Sequence, residues 1–426
     1  MTEASSIERA YRQATPKSAE LLERAARVMP GGNTRTASFY PPYPVVIERG
    51  DGPWVWDVDG RRYVDMFCNG LSLIHGHNYA PVRAAIEAAL PRGTAWAGAS
   101  RDQIAYAELL THRLPAMERL RFTNSGSEAG MIAVKAARQF TGRPYLLKFT
   151  GAYHGSYPDL EAGLYGQADI PGRALTVPFN DIEGMERVMS KHGREIAAIV
   201  VEPVLVTGRV AAPEAGFLLQ VQSLARRYQA LTLLDDCLML RLAVGGSAAK
   251  FGLDPDLVIL GKFLGGGTPF GAVGGRADIM EMFNPTQPRC LFHGGSFNGN
   301  PIGCAAGLAT LRELTAERIA IMDAKRQQIH DALSARAREL GLDIELTGLG
   351  SIAGIAFTAD PSRHDDDPSA LGLGPLFHLA CANAGVLLGP GGIIAQSTVH
   401  DDAATRSAIT GMSAALASVA ELSELA

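Results

Sequence analysis

Cysteine is scarce in this chain, and what there is forms no pattern. Cys68, Cys237, Cys290, Cys304 and Cys381 are odd in number, scattered, and without metal-ligand spacing. That argues against a disulfide framework or a zinc site and fits a reducing compartment. Long apolar runs are missing too: none reaches the roughly 20 residues that span a bilayer. The opening residues 1–9 lack the basic and apolar regions of a signal peptide, so a cytoplasmic protein without a membrane partner is expected. Charge of one sign is equally short. Lys and Arg number 39 against 44 Asp and Glu, a net charge of −5, which gives no electrostatic footing for nucleic acid. What the chain has is 47% hydrophobic content over 426 residues, enough for two domains with a large core.

The pattern along the chain places it in the α/β class. From 65 to 305, helical stretches alternate with apolar strand candidates such as 197–201 and 257–260, the signature of crossover units and a largely parallel sheet. Residues 1–64 carry a helical stretch around 18–27, a Gly/Pro-rich loop with Arg35, and strand candidates at 45–47 and 54–56. Residues 306–426 open with a long helix that sets Ile329, Leu333, Ala337 and Leu340 on one face. Strand candidates at 344–346 and 352–357 follow, with a final helix from about 402. This part reads as a smaller α+β domain, to which residues 1–64 contribute together with the entrance of the active site.

Four features at the ends of strand-like runs carry chemistry. Lys262 closes the apolar run that starts at Asp256. An isolated lysine is usually a solvated surface charge, but an amine at a strand end can hold an aldehyde cofactor as a Schiff base, and pyridoxal 5'-phosphate is the expectation. Asp235 closes the run 230–235, which reads as a strand buried on both faces. Its carboxylate can keep a pyridine nitrogen protonated, or cap the next helix. Ser125, Gly126 and Ser127 precede a helical stretch. Free N–H groups there suit a phosphate, although Ser-x-x-Glu is also an ordinary capping box. Tyr153 follows the strand candidate 145–149 and offers a ring for stacking, or simply for the core. A single sheet would bring all four to one edge.

These motifs, with Val201-Glu202-Pro203 and the run Gly295 to Pro301, stand in an order that resembles the class III aminotransferases, nearly end to end. Within that class the resemblance is strongest to the branch of glutamate-1-semialdehyde aminomutase and the β-amino acid transaminases. It implies the aspartate aminotransferase-like fold of pyridoxal phosphate-dependent transferases, with a seven-stranded, mostly parallel sheet. It also implies that Lys262 tethers the cofactor and shuttles the proton, that Asp235 pairs with the ring nitrogen, and that Ser125, Gly126 and Ser127 bind the phosphate. Tyr153 then matches the stacking aromatic. Ser296 stands where relatives often reach the phosphate of the neighbouring subunit, which implies a homodimer with shared active sites. Arg35 resembles the arginine that grips a substrate carboxylate, a task suited to a planar two-pronged donor; a surface arginine in a polar loop is the other reading.

Two departures bear on specificity. Gly391 falls where some β-amino acid transaminases place an arginine, and Asp236-Cys237 follows Asp235 where relatives usually read Glu-Val. The resulting expectation is a transaminase with a small-molecule amino donor, a carboxylate-bearing amine, and a keto acid acceptor. An intramolecular aminomutase and a cofactor-binding protein without turnover are the alternatives. No metal is expected: His75 and His77 lack further ligands nearby, and the acids at 364–367 read as a solvated loop; nor is a nucleotide-binding loop, because the glycines at 265–267 follow their lysine instead of preceding it. Whether His154 and Glu202 face the cofactor is left open.

Overall fold

The computed structural model describes residues 5–164, 172–207, 209–358 and 372–423; the acidic stretch 364–367 lies outside them. The chain divides into two compact units, Met1–Tyr79 with Ala320–Ala426, and Ala80–Ile319. Both divisions fall later than the expected 64/65 and 305/306, for reasons of packing. Residues just past 64 stay with the smaller unit because Val64 and Asp65 pair in parallel with Val386 and Leu387. The helix Pro301–Glu313 stays with the larger one because it packs on the helices Ala80–Ala89 and Arg101–Arg113.

The first strands are β1 (Ile47–Asp51), β2 (Trp54–Asp57) and β3 (Arg62–Asp65). The larger unit contributes β4 (Arg119–Thr123), β5 (Tyr145–Phe149), β6 (Ala174–Val177), β7 (Ile196–Val201), β8 (Leu231–Asp235), β9 (Leu257–Leu260) and β10 (Gly271–Gly275). The last are β11 (Ile344–Leu349), β12 (Ile352–Phe357), β13 (Val386–Leu387) and β14 (Ile393–Ala395). In the smaller unit the sheets run β1-β2-β3-β13 and β11-β12-β14. Its core takes in Ile329, Leu333 and Ala337 from the long helix Ala316–Glu339, with Leu340 packed partly buried against it. The predicted apolar face is the one that is buried.

The larger unit is a seven-stranded sheet ordered β4-β10-β9-β8-β7-β5-β6. All neighbours are parallel except at β10, which runs antiparallel to both β4 and β9. Every residue of β7, β8 and β9 is buried, which explains why these strands read as continuous apolar runs instead of alternating ones. The reversed strand β10 is Gly-Ala-Val-Gly-Gly, and its glycines are steric necessities. A Cβ at Gly271 would lie 2.3 Å from the Ser125 carbonyl oxygen, and one at Gly275 would lie 2.2 Å from that of Asp256. With β10 reversed between them, β4 and β9 point the same way, so the carboxyl ends of β4, β5, β7, β8 and β9 share one edge. That edge is where parallel sheets carry their ligands.

Candidate active site

Strand β8 delivers Asp235 to this edge with 7% of its surface exposed. Its Oδ1 accepts the Cys237 amide at 3.1 Å, and its Oδ2 accepts His154 Nδ1–H at 2.8 Å. Burial pushes this carboxyl up, but the hydrogen bonds from His154 and Cys237 outweigh it and hold Asp235 below its ordinary value. His154 is pushed down by burial, more than Asp235 pulls it back, so the imidazole is neutral at pH 7 and carries its proton on Nδ1. Its Nε2 is buried and has no partner among the described residues.

Strand β7 hands over to Glu202, which accepts the backbone amides of Val206 and Tyr153. Burial, reinforced by the charge of Asp235, drives this carboxyl well above the carboxylate range. Two buried carboxyls on neighbouring strands are thus pushed apart, Asp235 downward and Glu202 upward.

Strand β5 carries a residue that the sequence reading missed. Lys148 is fully buried, and its Nζ donates to the carbonyls of Ala152, Leu160 and Ala162 at 2.7, 2.7 and 2.8 Å. Burial lowers its ammonium to about 8, against the pull of Glu202 and Glu161. The cage pins the loop that carries Tyr153 and His154. A lysine inside an apolar run with both faces buried was the available signal, since such a charge needs a dedicated set of acceptors. Tyr153 itself is 40% exposed, with its hydroxyl 3.3 Å from Ser156 Oγ.

Strand β4 leads into the helix Gly126–Thr141, capped by Ser125, whose Oγ accepts the Glu128 amide at 3.1 Å. Only half of a capping box is made. The Glu128 carboxylate turns to the Asn124 amide, at 2.7 Å, and not to Ser125. The backbone N–H groups of Ser125, Gly126 and Ser127 therefore donate to nothing among the described residues, and they stand at the positive end of a 16-residue helix. Ser127 Oγ accepts the Ser156 amide at 3.2 Å, which joins this cup to the Tyr153 loop.

Strand β9 ends in Gly261 and Lys262. Lys262 sits at φ 56°, a left-handed conformation that costs a non-glycine residue roughly 1–2 kcal/mol. Its Nζ makes no hydrogen bond or ion pair among the described residues. Gly261 meets the cup backbone to backbone: a Cβ there would lie 2.9 Å from Gly126 Cα, and one at Gly126 would lie 2.9 Å from Cys237 Sγ. Of the two unusual residues after Asp235, then, Cys237 is the one that touches the cup. Asp236 turns to the Ser247 amide, at 3.0 Å, and burial raises its carboxyl to about 7.

The structure brings Lys262, Asp235, Ser125, Gly126, Ser127 and Tyr153 to one edge. Ser296 lies exposed in the stretch before the helix Pro301–Glu313. Arg35 belongs to the smaller unit, where its Nη1 donates to Asn69 Oδ1 at 2.7 Å. Gly391 adopts φ 76° with open space where a side chain would stand. His75 bonds Thr398 and His77 bonds Asp65, both at 2.7 Å. The edge fits the parts of pyridoxal phosphate: unpartnered amides for an ester phosphate, a buried carboxylate for a ring nitrogen, and an unpaired amine for an aldehyde.

Comparison with known proteins agrees with this chemistry. The family model for aminotransferase class III matches residues 36–160 and 167–416. A β-phenylalanine transaminase of Variovorax paradoxus is 35% identical over 399 residues, 93% of this chain and 91% of that protein. A glutamate-1-semialdehyde 2,1-aminomutase of Myxococcus xanthus is 37% identical over 359 residues, 80% of this chain and 83% of the other. The crystal structure of an omega-transaminase from Sphaerobacter thermophilus matches with a TM-score of 0.88 at 36% identity, covering 96% of this chain and 99% of that one. Sheet order, edge chemistry and near full-length similarity converge: the chain belongs to the class III aminotransferases, which work with pyridoxal phosphate.

Proposed function

We propose that this chain is a transaminase that moves an amino group between a carboxylate-bearing amine, a β-amino acid or a related amino acid, and a keto acid in a ping-pong cycle. The observation that carries the reading is the contact of the Gly261-Lys262 strand end with the unpartnered Ser125–Ser127 amides, at the edge that also holds the ionised Asp235. Bound pyridoxal phosphate supplies an electron-withdrawing ring that takes up the electron pair left when a C–H bond beside the amine is broken. The amides of Ser125, Gly126 and Ser127 bind its phosphate. Asp235 keeps the ring nitrogen protonated, His154 holds Asp235 in place, and Tyr153 covers the ring face. Lys262 Nζ would hold the cofactor's aldehyde carbon, and as a neutral amine it would carry the proton taken from the substrate carbon.

Arg35 is assigned the substrate carboxylate. Ser296 is assigned to a second copy of the chain, reaching its phosphate in a homodimer. Two large exposed rings beside it support that assignment, Phe292 at 80% and Phe297 at 61% exposure.

Similarity to aminomutases at 37% identity favours a second reading, transfer within one carbon skeleton. The two separate when the holoenzyme receives a 15N-labelled β-amino acid, such as β-phenylalanine, and an unlabelled keto acid. Label on the keto acid skeleton is the expected outcome. Positional isomerisation of an amino aldehyde without any acceptor would establish the aminomutase, and bound cofactor with neither reaction would leave a binding protein.

A further inference from the structure

We infer that Asn69, presented by a left-handed turn at residues 68–71, is a positioning residue that turns Arg35 into a fork for a planar carboxylate. The inference rests on the assignment of Arg35 to the substrate carboxylate and adds the device that orients it. Cys68, Asn69, Gly70 and Leu71 have φ of 49°, 52°, 66° and 65°. Consecutive left-handed residues are rare, because among L residues only Asn and Asp adopt this conformation readily. Such a turn persists only where its surroundings over-determine it.

They do so here. Asp65 Oδ1 accepts the amides of Phe67 and Cys68, each at 2.9 Å. Its Oδ2 is held by His77 Nε2 at 2.7 Å, which gives a purpose to a histidine of the His75-Gly76-His77 motif. The amides of Leu71 and Ser72 close the turn onto the carbonyls of Phe67 and Cys68, at 2.8 and 3.0 Å.

The turn fixes the Asn69 amide in one orientation. Its Nδ2 donates to Ser72 Oγ at 3.0 Å, and that hydroxyl donates to the Asn69 carbonyl at 2.8 Å. Oδ1 therefore faces outward and accepts Arg35 Nη1 at 2.7 Å. From the other side, Asn33 Oδ1 accepts the Arg35 amide at 2.7 Å, so both ends of the arginine are tied. Gly70 supplies clearance, since a Cβ there would lie 2.8 Å from Arg35 Nη2.

With Nη1 engaged, Nε and Nη2 have no partner among the described residues, and Arg35 makes no ion pair there. These two donors lie side by side on the guanidinium plane and match the two oxygens of one carboxylate. An untethered arginine has to order several rotors to reach the same arrangement, so the tether lowers the cost of binding.

The test uses the cofactor-loaded enzyme with two donors, one a β-amino acid and the other the same amine without its carboxyl group. Asn69→Gly suits the left-handed backbone and removes the tether together with the bond from Nδ2 to Ser72 Oγ, while Ser72→Ala removes that second bond alone and serves as the control. Asn69→Gly is expected to raise KM for the amino acid about tenfold while kcat changes less than twofold and KM for the plain amine is unmoved. Inhibition by a non-reactive carboxylate, 3-phenylpropionate, should weaken in parallel, with the cofactor absorbance unchanged. Arg35→Ala should produce the same pattern with a larger KM effect. If Arg35→Ala loses carboxylate selectivity and Asn69→Gly keeps it, the tether is refuted and the role of Arg35 stands. If Arg35→Ala leaves selectivity intact, the underlying assignment fails and the tether with it.

Discussion

The contact between Gly126 and Gly261 permits a crossed substitution test of the site's architecture. A methyl at residue 261 would lie 2.9 Å from Gly126 Cα and 3.0 Å from its amide nitrogen. Both are backbone atoms at a helix start and cannot rotate aside. Gly261→Ala must separate the strand end from the cup, at a cost of about 1–3 kcal/mol for overpacking. Lys262 is the next residue, and a displacement of about 1 Å of a reacting group costs on the order of 100-fold in rate. Gly126→Ala is different. Its methyl would meet Cys237 Sγ at 2.9 Å, while its next contact, Gly261 Cα, is at an ordinary 3.7 Å. Trimming the thiol in Gly126→Ala/Cys237→Ala should therefore recover most of the stability and activity lost by Gly126→Ala alone, a coupling of about 1–2 kcal/mol. Gly261→Ala/Cys237→Ala should recover little. Urea midpoints, cofactor retained after gel filtration, and turnover report the three consequences separately. A silent Gly261→Ala, or equal rescue of both alanines by Cys237→Ala, would refute the backbone-to-backbone contact.

Three further substitutions follow from the buried acids. The Asp236 carboxyl keeps its proton up to about 7 in the fold, against 3.8 for an ordinary aspartate, so its stabilising contribution is complete below pH 3.8 and is lost as pH rises to 7. Asp236→Asn should remove that decline, on the order of a few kcal/mol, and a urea midpoint that falls equally with pH in both proteins would rule it out. Burial pushes Glu202 toward its protonated form, so Glu202→Gln should alter kcat/KM by less than tenfold, whereas Asp235→Asn removes an anion and should cost more than 100-fold; equal losses in steady-state assays would contradict the separation of the two carboxyls.

The strand ends were legible wherever burial on both faces left an unbroken apolar run closed by one polar residue. β8 with Asp235 and β9 before Lys262 are of this kind, because the pattern and the function occupy the same few residues. The reversed strand β10 was not legible. Its three glycines exist to let other backbones approach, and glycine ordinarily argues against a strand interior. The partners of the site residues were hidden for another reason. His154 meets Asp235 across 81 positions of sequence, and Lys148 is satisfied by carbonyls that leave no side-chain signature at all. The Ser125 motif carried two readings that turn out to coexist. Its hydroxyl caps the helix while its own amide and the next two stay free.

The charge states along the edge explain why Asp235 is suited to a cationic ring. A buried carboxylate is costly unless paired, and three buried groups beside Asp235 or beside its neighbours decide whether it is. His154 supplies a hydrogen bond and no charge, because burial keeps its imidazole neutral. Lys148 supplies a charge, but its ammonium is committed to three carbonyls. Glu202 carries no charge while protonated, and on losing its proton it would add repulsion. Asp235 is thus oriented by a neutral donor and left un-neutralised, a state that favours a protonated nitrogen placed against it. Replacing His154 with a permanent cation would satisfy Asp235 internally and weaken that preference, so a neutral histidine serves the site better than an arginine would.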